Sequence, residues 1–170
     1  MRTLKIAALA SVALAALSTA TLAADPIVMV DTPPVMDDVS YGFDGPYAGI
    51  FVLGQTNPGS LGVGLNLGVN VSSDALVFGV EGDAAWVSGG VGWQAQVVGR
   101  LGAALSDDAM IYGLAGIGAN GANGAYVPVG IGAEFMIADN MSLKAQYEFH
   151  WDLSGGPNSH VGKVGVNWHF

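Results

Sequence analysis

Glu148, His150 and Asp152 alternate with Phe149, Trp151 and Leu153. In an extended chain that spacing puts two carboxylates and an imidazole on one side. Such a set suits general acid–base work or a metal site. A strand period alone produces the same pattern, and Lys163 is expected nearby, where it disfavours a cation. Ser154 and Ser159 near His160 make no nucleophile motif. Gly116-Ile117-Gly118-Ala119-Asn120-Gly121 fits G-x-G-x-x-G, but Gly and Asn follow where a dinucleotide fold needs a helix. The expectation is no enzyme: no catalytic residue, no metal ligands and no cofactor. The absence of Cys removes disulfides, thiolate zinc sites and Cys nucleophiles.

Charge is scarce. Of 170 residues, 51% are hydrophobic and 11% charged, with 26 Gly, and five Lys+Arg against 14 Asp+Glu give −9. So few cations exclude nucleic acid as a partner, since binding it requires neutralised phosphates. The length is that of one domain.

Met1-Arg2-Thr3-Leu4-Lys5 is a short positive region, residues 6–17 are apolar except Ser11, and Thr21 and Ala23 stand at −3 and −1 of a cleavage site. This is the three-part pattern of a cleaved secretory signal over 1–23, too short an apolar run for a spanning helix. Without the signal, Arg100, Lys144 and Lys163 are the only Lys or Arg left against the same 14 acids, a balance of −11. Residues 24–45 hold five Asp and three Pro with no periodicity and read as a flexible, acidic periplasmic leader.

From Pro46 onward, apolar segments of about ten residues alternate with Gly, Asn, Asp and Ser clusters. Eight are predicted: 47–55, 61–71, 76–87, 92–105, 109–118, 125–137, 141–153 and 160–170. The clearest interleave Leu61, Val63, Leu65, Leu67, Val69 and Val71 with Gly62, Gly64, Asn66, Gly68 and Asn70. Another interleaves Leu143, Tyr147, Phe149 and Trp151 with Lys144, Glu148 and His150. Period two means strands. Pro128 cannot donate to a ladder, so a bulge or a late start of pairing is expected there, and the segment 109–118 shows no clear parity.

A soluble sheet turns its polar face to water, and that face should be rich in Lys, Glu, Thr and Arg. Here the polar face is Gly, Asn and Gln with isolated charges. Glu81, Asp83, Arg100, Glu134, Lys144, Glu148, Asp152 and Lys163 all fall on it, and the remaining acids lie in the leader or in turns. An apolar face without charge suits lipid, where a basic residue at mid-bilayer costs about 2–4 kcal/mol. Ten residues tilted by about 40–45° cross about 23–25 Å, close to the apolar band of an outer membrane. Open sheet edges do not survive in lipid, so an all-β, eight-stranded antiparallel up-and-down transmembrane β-barrel over 46–170 is predicted. Trp86, Trp93 and Trp151 are expected near one rim, and Tyr47, Phe78, Phe135, Trp168 and Phe170 near the other.

The runs Val80-Glu81-Gly82-Asp83, Val98-Gly99-Arg100-Leu101-Gly102, Ile111-Tyr112-Gly113, Gly132-Ala133-Glu134 and 139–147 resemble the OmpA-like, opacity-type outer-membrane β-barrel (porin family) proteins over essentially the whole mature domain. The ending, with Val164, Val166, Trp168 and Phe170 alternating, resembles the C-terminal signal of such proteins. The resemblance implies residence in the Gram-negative cell outer membrane, contact with its lipid and lipopolysaccharide, and recognition by the barrel assembly machinery through Phe170. Cell-wall anchoring is not expected, since no peptidoglycan-binding domain follows, and short loops argue against adhesion.

Hairpin arithmetic predicts lumen pairs. A three-residue turn centred on Asp139 sets Ile137 against Met141 and Glu134 against Lys144. A Gly89-Gly90 turn sets Ser88 against Val91 and Arg100 diagonal to Glu81. A six-residue loop 154–159 sets His150 against Lys163, with Glu148 diagonal, and Lys144 against His169. The expected network is Glu81/Arg100, Glu134/Lys144/His169 and Glu148/Lys163, largely plugging the lumen of a structural envelope protein. Two other functions compete: a narrow porin along the Gly-lined face of 61–71, and adhesion or ligand binding through 55–60 and 154–159.

Overall fold

Period-two alternation of bulky apolar residues with small or polar ones makes strands of nearly all the chain that the computed structural model describes, residues 42–73 and 75–170. Residues 1–23, read above as a signal, and most of 24–45, read as a leader, lie outside the described residues. The strands are β1 (Gly45–Gln55), β2 (Ser60–Ser73), β3 (Leu76–Val87), β4 (Gly92–Ser106), β5 (Ala109–Asn120), β6 (Gly124–Ala138), β7 (Met141–Asp152) and β8 (Ser159–His169). Each pairs antiparallel with its sequence neighbours, and β1 pairs with β8, closing the barrel in chain order. Every predicted segment is a strand, with ends moved by at most two residues.

The chain enters and leaves at one end, called here the terminal end. There β4–β5 and β6–β7 are joined by two residues each, whereas the opposite, loop end carries 56–59, 88–91, 121–123 and 153–158. Gly89 and Gly90 both have positive φ (70° and 88°), as a two-residue hairpin turn demands. Val91 N donates to Ser88 O across it.

The apolar side chains face out. Leu61, Leu65, Leu67, Val63 and Val71 on β2 are each 60% or more exposed, and Leu143, Trp151 and Val164 also lie on the outer wall. Trp86 and Trp93 are direct cross-strand partners on that wall near the loop end, while Phe78, Phe135 and Phe170 are exposed toward the terminal end. Tyr47 departs from the predicted girdle. It is buried, because β1 turns Tyr47, Gly49, Phe51 and Leu53 inward and Ile50 and Val52 outward.

Large inward side chains are accommodated by glycine directly opposite. Tyr47 faces Gly68 and Phe51 faces Gly64 across β1–β2, while Tyr112 faces Gly132 and Tyr126 faces Gly118 across β5–β6. A Cβ on Gly68 would sit 2.6 Å from Val80 O, and one on Gly64 2.7 Å from Ala84 O. The interior of a small barrel has room for one large ring and no second side chain at each such level. The Phe51 and Tyr47 rings therefore lie against the inward glycines Gly64 and Gly68 of β2.

Three register expectations are corrected. Ala138, not Ile137, pairs with Met141, because the ladder slips between Met136 and Ala138. On β7–β8, Gln146 faces Lys163, Lys144 faces Gly165 and His150 faces Ser159. The loop there closes earlier than predicted: Asp152 Oδ1 accepts from Ser154 N and Gly156 N, and Asn158 Oδ1 accepts from Asp152 N. The slip from the predicted register is even, so each side chain keeps its face. At Pro128 no residue is inserted. The β5–β6 pairing lapses between Ala115/Val129 and Gly118/Tyr126 in unchanged register, while β6–β7 continues through Pro128/His150. Pro128 thus spends its missing N–H on one ladder only. Parity on β5 is also decided: Met110, Tyr112 and Leu114 face in.

Candidate functional site

The polar parity of the strands converges on the lumen, and all three Lys and Arg of the described residues are buried there. In the half nearer the terminal end, Arg100 on β4 is central. Its Nη2 lies 2.7 Å from Glu134 Oε2 and its Nη1 3.4 Å from Glu81 Oε2, and it also donates to the Tyr47 hydroxyl. The guanidinium lies 3.9 Å from the centre of the Tyr112 ring and 5.3 Å from that of Tyr47. Lys144 Nζ reaches Glu81 Oε2 at 2.9 Å. Tyr47 donates to Glu81 at 2.8 Å. Glu134 accepts from Ser142 Oγ and, at 2.7 Å, from Asn167 Nδ2, and its Oε1 lies 3.3 Å from His169 Nε2.

The second group lies toward the loop end. Lys163 Nζ is 2.6 Å from both Asp83 Oδ2 and Glu148 Oε1. Glu148 is further held by Gln146 Nε2 at 2.6 Å, Gln96 Nε2 at 3.1 Å and His150 Nε2 at 2.6 Å. His150 stacks on Tyr126, with ring centres 4.3 Å apart. Glu148 is thus held by His150, Lys163 and two amides at once.

Of the residues singled out from sequence, Glu81, Arg100, Glu134, Lys144 and His169 come together in the first group, and Glu148 and Lys163 in the second. One partner differs. Lys144 stands opposite Glu134 in the ladder, as arithmetic on the β6–β7 hairpin places it. Its ammonium nonetheless goes to Glu81 across the lumen, because Glu134 is already taken by Arg100, Ser142 and Asn167. Sequence reasoning also left out Asp83, Tyr47, Gln96, Asn167 and Asn66, whose Nδ2 donates to Glu81 Oε2 at 3.3 Å and to Asn167 Oδ1 at 2.8 Å. Parity marks Asp83, Gln96 and both Asn as inward, so the signal existed; what was missing was the reach between strands that are not neighbours.

Apolar layers lie on either side of the charges. Toward the loop end, Phe51, Leu53, Val87, Val91 and Val161 pack together. Near that mouth a cavity of about 10 Å³, room for a single water, lies among Gln94, Asn120, Tyr126 and His150. At the terminal end Phe43, just before β1, is fully buried against Val77, Met110 and Tyr112. Its carbonyl accepts from Asn70 Nδ2 at 3.0 Å and its ring meets His169 edge-on at 6.0 Å. The last residues assigned to a flexible leader therefore belong to the barrel. No sequence signal identified Phe43, since it sits in a stretch whose composition is that of a linker.

No family model and no curated protein matches the chain. Solved structures do share its fold. A de novo designed transmembrane β-barrel aligns with TM-score 0.58 and 20% identity, over 76% of this chain and 96% of that one. The N-terminal β-barrel domain of Pseudomonas aeruginosa OprF gives 0.57 and 13%, over 75% and 98%. Ail, the attachment invasion locus protein of Yersinia pestis, solved with the heparin analogue sucrose octasulfate, gives 0.51 and 15%, over 75% and 99%. With its closed eight-stranded antiparallel sheet, apolar outer wall and charged interior, the chain has the fold of these outer-membrane and designed transmembrane β-barrels.

Proposed function

We propose that the protein is a structural resident of the outer membrane whose lumen is closed. The observation that carries this reading is the burial of Arg100, Lys144 and Lys163 among Glu81, Asp83, Glu134 and Glu148 between two apolar layers. Buried charges at such distances are stable only as mutually paired sets, and a paired set leaves no fixed site for a passing ion. Export by the 1–23 signal and capture by the assembly machinery through Val164, Val166, Trp168 and Phe170 belong to the same reading. So does contact of the outer wall with lipid and lipopolysaccharide. The terminal end then faces the periplasm.

A pore would need these pairs to part and the Phe43 and Phe51 layers to open. Adhesion finds little support in the loop end, where residues 56–59, 88–91, 121–123 and 153–158 contain no Lys, Arg, Asp or Glu. A sulfated ligand such as the one bound to Ail has no cation to meet there. The test is twofold. Cell fractionation should place the protein in the outer membrane, and purified protein in planar bilayers should give no steady openings. Recovery in the soluble periplasm overturns the location, and steady conductance overturns the closed lumen.

A further inference from the structure

We propose that the loop-end mouth of the barrel binds one small monovalent cation, of potassium or ammonium size, between Gln94 and Asp152. The interior is divided lengthwise there. Phe51, Leu53, Val87 and Val161, on β1, β3 and β8, pack with Val91 as an apolar cluster. The facing side, β4 to β7, is polar. The water-sized cavity at the mouth lies on that side, bordered by Gln94, Asn120, Tyr126, His150 and Asp152. Cross-strand pairing sets Gln94 beside Asn120 and Tyr126 beside Asp152.

Gln94 is 4% exposed, and its Oε1 accepts no hydrogen bond. A buried carbonyl oxygen left unpaired costs about 1–3 kcal/mol, so this one calls for a donor or a cation. Among the partnerless buried side-chain atoms of the described residues, it alone belongs to a residue bordering the cavity. Asp152 supplies the charge. Its Oδ1 accepts from Ser154 N at 2.8 Å and Gly156 N at 2.7 Å, which fixes the carboxylate and leaves Oδ2 to a ligand. Glycine at 156 keeps that oxygen uncovered, since a Cβ there would lie 3.0 Å from it.

Charge selects the ligand. This half of the lumen holds Asp83, Glu148 and Asp152 against Lys163, which is spent on Asp83 and Glu148 at 2.6 Å each. Arg100 and Lys144 are engaged with Glu81 and Glu134. An anion therefore finds no free cation at the mouth, and the unbalanced Asp152 favours positive charge. A calcium ion takes about six to eight oxygens, several of them from carboxylates, and a single carboxylate borders this cavity. At about 10 Å³ the cavity admits a body the size of one water, which excludes larger organic cations. The site lies outside the paired network and holds whether or not a bilayer surrounds the barrel.

NMR spectra of the folded protein in detergent micelles test this. Potassium or ammonium chloride is titrated in while N-methylglucamine chloride, whose cation is too large for the cavity, keeps the ionic strength constant. The backbone amide signals of Asn120 and Tyr126 should shift to saturation. Asp152→Asn keeps an acceptor for the two loop amides but not the charge, and should weaken binding by about tenfold, the equivalent of about 1.4 kcal/mol. Gln94→Leu should weaken it comparably, and Asp107→Asn, at the terminal end, should leave it unchanged. Dispersed spectra show that each variant is folded, and Asp152→Asn decides the matter alone should Gln94→Leu not fold. No saturable shift, which would mean that the cavity holds water only, would overturn the proposal. So would the same shift with N-methylglucamine alone, wild-type affinity in Asp152→Asn, or an equal loss in Asp107→Asn.

Discussion

Lys144 shows what one buried charge does in this lumen. Its ammonium is 2.9 Å from Glu81, both side chains are inaccessible to solvent, and the Phe51 ring lies 5.7 Å away. Removing one member of such a pair leaves the other uncompensated, at a cost of about 3–5 kcal/mol. Lys144→Met is therefore expected to lower the unfolding free energy by about 3 kcal/mol, read from urea titrations in lipid vesicles. Glu81→Gln added to it should recover part of that loss, because the orphaned carboxylate is gone. Unchanged stability in the single variant would remove the structural role assigned to the network. Phe43 is the apolar counterpart. Phe43→Ala opens a cavity against Val77, Met110 and Tyr112 and is expected to cost about 3 kcal/mol in the same titration. A solvated leader residue would give no change.

At the scale of strands, depth in the wall and the side of the sheet decide the effect of a substitution. Leu65 is outward near the middle of β2 and Val71 is outward near its terminal end. Leu65→Arg should cost about 2–4 kcal/mol, and Val71→Arg at most about 1, because the penalty falls toward the interface. Equal costs would contradict a bilayer around this wall. Inward, Gly68→Val would press against Val80 O and the Tyr47 ring, and refolding yield, followed by gel mobility, should fall sharply. Gly99→Val on the outer wall adds a side chain whose Cβ makes only an ordinary contact, 3.8 Å from Ala115 O, and should fold like the wild type. The paired aromatic–glycine positions thus separate a lumen filled by rings from one lined by glycine.

Over the whole molecule, charge is sorted by location. Cations are confined to the lumen among the described residues, Asp44, Asp107, Asp108 and Asp139 lie at the terminal end, and the loop-end connections carry no Lys, Arg, Asp or Glu. Closure leaves no free sheet edge, so the folded form should resist detergent until heated. Unboiled and boiled samples are expected to migrate differently on a gel, and identical migration would count against the closed barrel.

Alternation by itself determined the strands, their number and the face of most side chains outside β1 and β5, because a period of two is a local property of an extended chain. That is why the outward rows of β2 and β7 and the inward Glu81, Arg100, Lys144 and Glu148 were legible from residue order alone. Even the four-residue slip between β7 and β8 left every face intact, since only odd slips invert it. Contacts beyond neighbouring strands were decided by tertiary structure. Arg100 with Glu134 and Lys144 with Glu81 join strands two and four apart in the sheet order, a reach that exists only because closure makes the lumen narrow. Tyr47 and Phe51 turning inward, and Phe43 entering the terminal mouth, follow from the same geometry. An enclosed space accepts large rings where a facing glycine or an open end gives them room, and no local pattern records which spaces those will be.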